Sequence, residues 1–197
     1  EGAARGCGVG EAGMAAPAFA LWPRATPGTV APRGPALPVA HLLFDGRFEA
    51  AASIARLASV GGPAPRVLPR DALELWYDLL RPAPGATPRA FAGITTAAAL
   101  FALRTLAADH RLQLRYHAEH GVPRDGRIAH RIEGPAGRLA QCRRLSEAAP
   151  WEVMAASALR DCAPGRTQRI RLASAAAGGV RDEPLYSWVI GPAPHRA

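Results

Sequence analysis

Apolar positions along this chain alternate between short unbroken runs and helical stripes from residue 39 to residue 117. Val39-Ala40-His41-Leu42-Leu43-Phe44 is almost wholly apolar, as a strand covered on both faces must be, and Asp45-Gly46 ends it. From Arg47 to Val60, Phe48, Ala51, Ala55 and Ala58 recur at helical spacing, with Ile54 and Leu57 beside them. Gly61-Gly62 stops that helix. Arg66-Val67-Leu68 is a second strand, halted by Pro69. Asp71-Ala-Leu-Glu74 has the spacing of a capped helix start, and Leu75, Trp76, Leu79 and Leu80 form its apolar face before Pro82. A third strand spans 89–94. Thr95 or Thr96 then caps a helix running to Asp109, with Ala99, Leu100, Leu103, Leu106 and Ala107 on one side. Residues 112–117 form a fourth strand.

The last third has a different rhythm. Residues 128–133 and 138–142 flank Gly134-Pro-Ala-Gly137, which predicts a hairpin. A helix is predicted over 150–161 with proline at its first turn, and strands over 167–172 and 185–190. Repeated strand–helix units predict one α/β domain over 39–197, with an open, mostly parallel, three-layer sheet of Rossmann-like or flavodoxin-like type. The later antiparallel strands are expected to extend one edge of it. No apolar run reaches the length of a membrane-spanning helix.

The first 38 residues lack this periodicity. Residues 21–38 carry Pro23, Pro27, Pro32, Pro35 and Pro38, which predicts an extended arm or linker. Residues 1–20 are small and apolar and end in Ala18-Phe19-Ala20, the pattern a signal peptidase reads. This stretch resembles the tail of a twin-arginine export leader whose basic start is missing. A Gly/Ala-rich tail is the alternative. The resemblance implies a periplasmic or secreted protein.

Charge changes the picture only after a correction for composition. All 24 basic residues are arginine, and lysine and asparagine are absent, the mark of a high-GC genome. The formal charge of +8 still attracts anionic partners at low salt. Along the chain, however, the arginines are scattered and aromatics make up only 6% of residues, so nucleic acid is an unlikely partner on sequence grounds. Of the three cysteines, Cys142 and Cys162 lie beyond the leader. An exported protein would join them in one disulfide; two buried thiols are the alternative.

Ligands of open α/β sheets bind beyond the carboxyl ends of the parallel strands. Asp45, Arg47, Arg70, Gly93, Thr95 and Thr96 fall at those ends and are the candidate ligand-binding residues. The Gly93–Thr96 turn enters a helix, so unpaired N–H groups and two hydroxyls suit an anion or carboxylate. Asp71 fits a helix cap, and Asp45 fits either a turn or a site residue. The glycine-rich nucleotide fingerprints and the esterase elbow are absent, and no cofactor is implied. His117, Glu119, His120 and His130 do not converge as metal ligands on an alternating strand, so no metal is assigned and they fit a polar strand end near the surface. The expectation is a binding or accessory factor for a small anionic ligand or a protein partner. A small hydrolase or transferase acting on a phosphorylated substrate, with Asp45 as nucleophile or base, is one alternative. A structural subunit anchored by the arm is another.

Overall fold

The computed structural model describes residues 36–83, 85–122, 124–175 and 183–193. The leader-like stretch and the proline-rich arm up to Pro35 lie outside the described residues. Strand β1 (Leu37–Phe44) begins two residues before the expected domain start, taking in the last of the arm.

Helix α1 (Glu49–Ala58) follows β1 and buries Ala51, Ile54, Ala55 and Ala58, the stripe predicted for it. Gly61, with φ +76, turns the chain out of it, a conformation that disfavours any side chain. Strand β2 (Pro65–Val67) pairs in parallel with β1. Helix α2 (Ala72–Leu75) starts on Asp71, whose Oδ1 accepts the Leu73 N–H at 2.8 Å, and it widens into a π-helical turn over Trp76–Leu80. Strand β3 (Ala90–Thr95) is buried along its whole length and lies parallel to β1 on the side away from β2. Helix α3 (Ala97–Ala108) completes this parallel half.

From here the direction of pairing changes. Strands β4 (Leu112–His120) and β5 (Arg127–Pro135) form an antiparallel hairpin. Asp125 and Gly126 both have positive φ, and the flanking Arg124 and Arg127 exchange two backbone hydrogen bonds of 2.8 Å. That is the geometry an Asp-Gly pair favours in a two-residue hairpin loop. Helices α4 (Ala136–Ala148) and α5 (Trp151–Ala158) lead through the short β6 (Asp161–Cys162) to β7 (Thr167–Ala175) and β8 (Leu185–Pro192). The sheet order is β2-β1-β3-β8-β4-β5-β7, with β6 pairing β1 off this path. Among the described residues only the β1–β2 and β1–β3 pairings are parallel.

The protein is therefore an open, mixed α/β sheet with helices on both faces, and the expected mostly parallel order is corrected. Strand β8 is the reason. It does not extend an edge but inserts antiparallel between β3 and β4. Its residues Leu185, Ser187, Trp188, Val189 and Ile190 are buried on both faces, which only a central strand allows. The expected 128–133/138–142 hairpin is also corrected. Pro135 closes β5 and stands at the N-cap of α4, so Leu139 and Cys142 face the core at helical spacing.

Two apolar clusters sandwich the sheet. One gathers α1, α4 and α5 around Ile54, Ile132, Trp151 and Met154; the other gathers α2, the π-helical turn and α3 around Trp76, Phe91, Leu103 and Trp188. No helix among the described residues is long and apolar enough to cross a membrane.

Candidate functional site

The carboxyl ends of β1, β2 and β3 open into a cavity of about 1170 Å³ between α2 and α3. Asp45, Arg47, Arg70 and Thr96 line it, so four of the six candidate residues are brought together. The other two are not. Gly93 is packed beneath Trp188, where a Cβ would meet the indole Cζ2 at 2.5 Å and the Leu43 carbonyl at 3.0 Å. Thr95 is fully buried, and its Oγ1 accepts the indole N–H of Trp188 at 3.0 Å while donating to the Thr96 carbonyl at 3.2 Å. Both residues hold the floor under the cleft rather than line it.

Asp45 is the first residue after β1, and its N–H donates to the Ile94 carbonyl at 3.0 Å, tying the turn to β3. Its Oδ1 accepts the Arg47 backbone N–H at 3.1 Å and Nε at 3.0 Å, and its Oδ2 accepts Nη2 at 2.7 Å. Burial alone would raise the Asp45 carboxyl pKa. The hydrogen bonds and charge of Arg47 outweigh it and hold the group below the ordinary carboxylate value. Arg47 remains solvent-exposed, and its guanidinium is already engaged by the Asp45 carboxylate. Arg70 is exposed and has no ion-pair partner among the described residues, which makes it the cation open to a ligand.

Thr96 is the N-cap residue of α3, yet its hydroxyl makes no capping bond. The free N–H groups of the first turn of α3 and the Thr96 hydroxyl therefore lie together at the mouth of the cleft. The remaining wall is apolar. Val67, Leu73 and Phe101 line it at 59%, 46% and 64% exposure, and Tyr77 stands exposed on the adjoining π-helical turn. These are four of the seven large apolar side chains exposed among the described residues.

A second polar constellation was not legible as such in the sequence. Ser187, His120, His130 and Ser174 form a hydrogen-bonded line across β8, β4, β5 and β7. The spacings are 2.7 Å from Ser187 Oγ to His120 Nε2, 2.8 Å between the two Nδ1 atoms, and 2.7 Å from His130 Nε2 to Ser174 Oγ. Both rings are buried against Trp151, which overturns the placement of these histidines near the surface. Because one Nδ1 must donate to the other, the two rings cannot both be imidazolium in this arrangement. The signal was parity: His120 shares its face of β4 with the buried Tyr116 and Ala118. No group of three or more metal-ligating side chains gathers among the described residues.

Cys142 and Cys162 are buried free thiols, not joined to each other. Burial raises the pKa of both, against the lowering influence of Arg138 on each and of Arg115 on Cys162. Arg138 is itself buried, paired with Asp161 and donating to the Ser157 carbonyl at 2.8 Å, which pins α4 to α5. No family model, curated protein or solved structure matches this chain.

Proposed function

We propose that the protein is a binding or accessory factor whose ligand is a small anion with an apolar body, held in the cleft at the carboxyl ends of β1–β3. The supporting observation is the pairing, in one cavity, of Arg70 and the α3 N-terminus with the exposed Val67, Leu73 and Phe101. An anionic group gains from the guanidinium and the unpaired N–H groups. An alkyl or aromatic body gains by covering the three apolar side chains, about 25 cal/mol for each Å² removed from water.

The hydrolase or transferase reading has weaker support. Both Asp45 oxygens are engaged by Arg47 and the carboxyl pKa is lowered, which opposes a role as base and blunts it as a nucleophile. Asp45 fits a residue that shapes the loop and orients Arg47.

A thermal-shift series tests the proposal with phosphate, sulfate, acetate, hexanoate, octanoate and hexyl phosphate. Alkyl anions are expected to stabilise the protein more than the parent ions and more than octanol. A probe at about 100 times its Kd stabilises by about 2.7 kcal/mol. Arg70→Ala should remove the preference for the anion, and Phe101→Ser the preference for the alkyl chain. Equal response to octanol and octanoate, or none to any probe, would reject a cleft for amphiphilic anions.

A further inference from the structure

The helices α2 and α3 cover only part of their side of the sheet. Past β8 and the start of β4, where Leu112 and Leu114 still pack under α3, this face is open among the described residues, and two cross-strand rows cross it. Tyr186, Glu119, Arg131 and Arg171 stand opposite one another in the first row. His117, Glu133 and Arg169 form the second, continuing from the buried Trp188. Arg127 projects on the same face at the far end of β5, and Arg104 of α3 acts on His117 from the flank. Four arginines thus meet two glutamates on a surface four strands wide.

Each glutamate is already matched. Arg131 donates to Glu119 at 3.2 Å and Arg169 to Glu133 at 2.9 Å, and all four side chains are partly or largely exposed. Exposed pairs of this kind contribute little, so an arginine exchanges its carboxylate for a phosphate at small cost. Arg104, Arg127 and Arg171 have no ion-pair partner among the described residues. Beside the arginines, the rings of His117 and Tyr186 lie parallel, with centroids 5.6 Å apart and planes 4° from coplanar orientation. Arginines that are scattered in sequence are therefore gathered next to an aromatic pair, the combination whose absence argued against nucleic acid.

We propose that this open face of β8-β4-β5-β7 binds single-stranded nucleic acid, with the phosphates on Arg131, Arg169 and Arg171 and a base against the His117–Tyr186 pair. The chemistry fits: guanidinium groups pair with phosphate and stack on bases, and rings receive any base without sequence preference. An open antiparallel face also leaves room for a splayed strand, which a duplex with its bases stacked inside cannot exploit. A protein partner is disfavoured because the face offers little apolar area for an interface core.

Fluorescence anisotropy of the full chain with labelled oligothymidylate of 15 nucleotides tests this, against a duplex of equal length and against heparin. Binding in the micromolar range at about 50 mM salt is expected, with log K falling against log salt at a slope of about −2 for three neutralised phosphates. Arg169→Gln/Arg171→Gln should weaken oligothymidylate and heparin alike by about tenfold or more. Tyr186→Leu should weaken oligothymidylate about tenfold while sparing heparin, and Tyr186→Phe should bind like the parent. Arg70→Ala, in the cleft on the parallel half, should change nothing here, which separates this surface from the proposed anion cleft. Absence of binding, a Tyr186→Leu variant with unaltered oligothymidylate affinity and an unaltered circular dichroism spectrum, or equal preference for the duplex would overturn the proposal. Equal loss for heparin and oligothymidylate in Tyr186→Leu would reduce the face to a general polyanion surface and also overturn it.

Discussion

The two halves of the sheet store their polar chemistry in different places. In the parallel half, β2-β1-β3, the buried positions inside the strands are apolar and the polar groups of the cleft stand where the strands stop: Asp45, Arg70 and Thr96. In the antiparallel half, β8-β4-β5-β7, polar groups run through the core itself as Ser187–His120–His130–Ser174 and again across the open outer face. Parallel strands are covered by their crossover helices, which leaves only the ends for a ligand. Antiparallel strands reverse through short turns and can leave one face to solvent. The parallel half thus gives a cleft at an edge of the sheet, and the antiparallel half a surface and a buried network.

The largest effect should come from breaking the buried line. His120→Ala removes two hydrogen bonds and opens space beneath Trp151, which should cost about 3–4 kcal/mol in urea unfolding. His130→Ala should cost a similar amount. The double variant should cost about 1–2 kcal/mol less than the sum, because the bond between the two rings is lost in either single variant. Additive losses would mean that the rings act independently.

Next in size is the junction between the halves, where β3 meets β8. Gly93→Ala drives a methyl into Trp188 and should cost about 2 kcal/mol. Thr95→Val removes the acceptor of the indole N–H and should cost about 1–2 kcal/mol, with a change in the Trp188 emission. Stability unaffected by either change would remove both residues from the structural role given to them here.

The smallest effect, and one confined to pH, belongs to the cleft. The Asp45 carboxyl pKa is lowered on folding, so its contribution is fully present above the ordinary value of 3.8 and is lost as pH falls through the lower folded value. Asp45→Asn should therefore be less stable than the parent at neutral pH and converge with it in acid. Curves that stay parallel below that value would show that the Arg47 clamp depends on shape rather than charge.

Sequence periodicity located most elements because buried helices and strands must repeat at their own spacing. The stripe Ala51–Ile54–Ala55–Ala58 and the unbroken β3 are examples. Sheet order was not legible for the same physical reason: a central antiparallel strand such as β8 and a central parallel strand both present continuous apolar runs. The hairpin was misplaced because Gly134-Pro135 resembles a turn, whereas Asp125-Gly126 carried the actual turn chemistry. At the cleft, Asp45, Arg47, Arg70 and Thr96 followed from their position after strands. Gly93 and Thr95 could not be separated from them without knowing that Trp188 packs on β3.

The most direct test of the cleft is a titration of isotope-labelled full-length chain with octanoate, followed through its backbone amide resonances. Shifts concentrated at Arg70, Leu73, Thr96 and Phe101, lost in Arg70→Ala while its stability stays within about 0.5 kcal/mol of the parent, are predicted. Shifts that centre on β5 and β7, or that persist in Arg70→Ala, would contradict a ligand site at the carboxyl ends of the parallel strands.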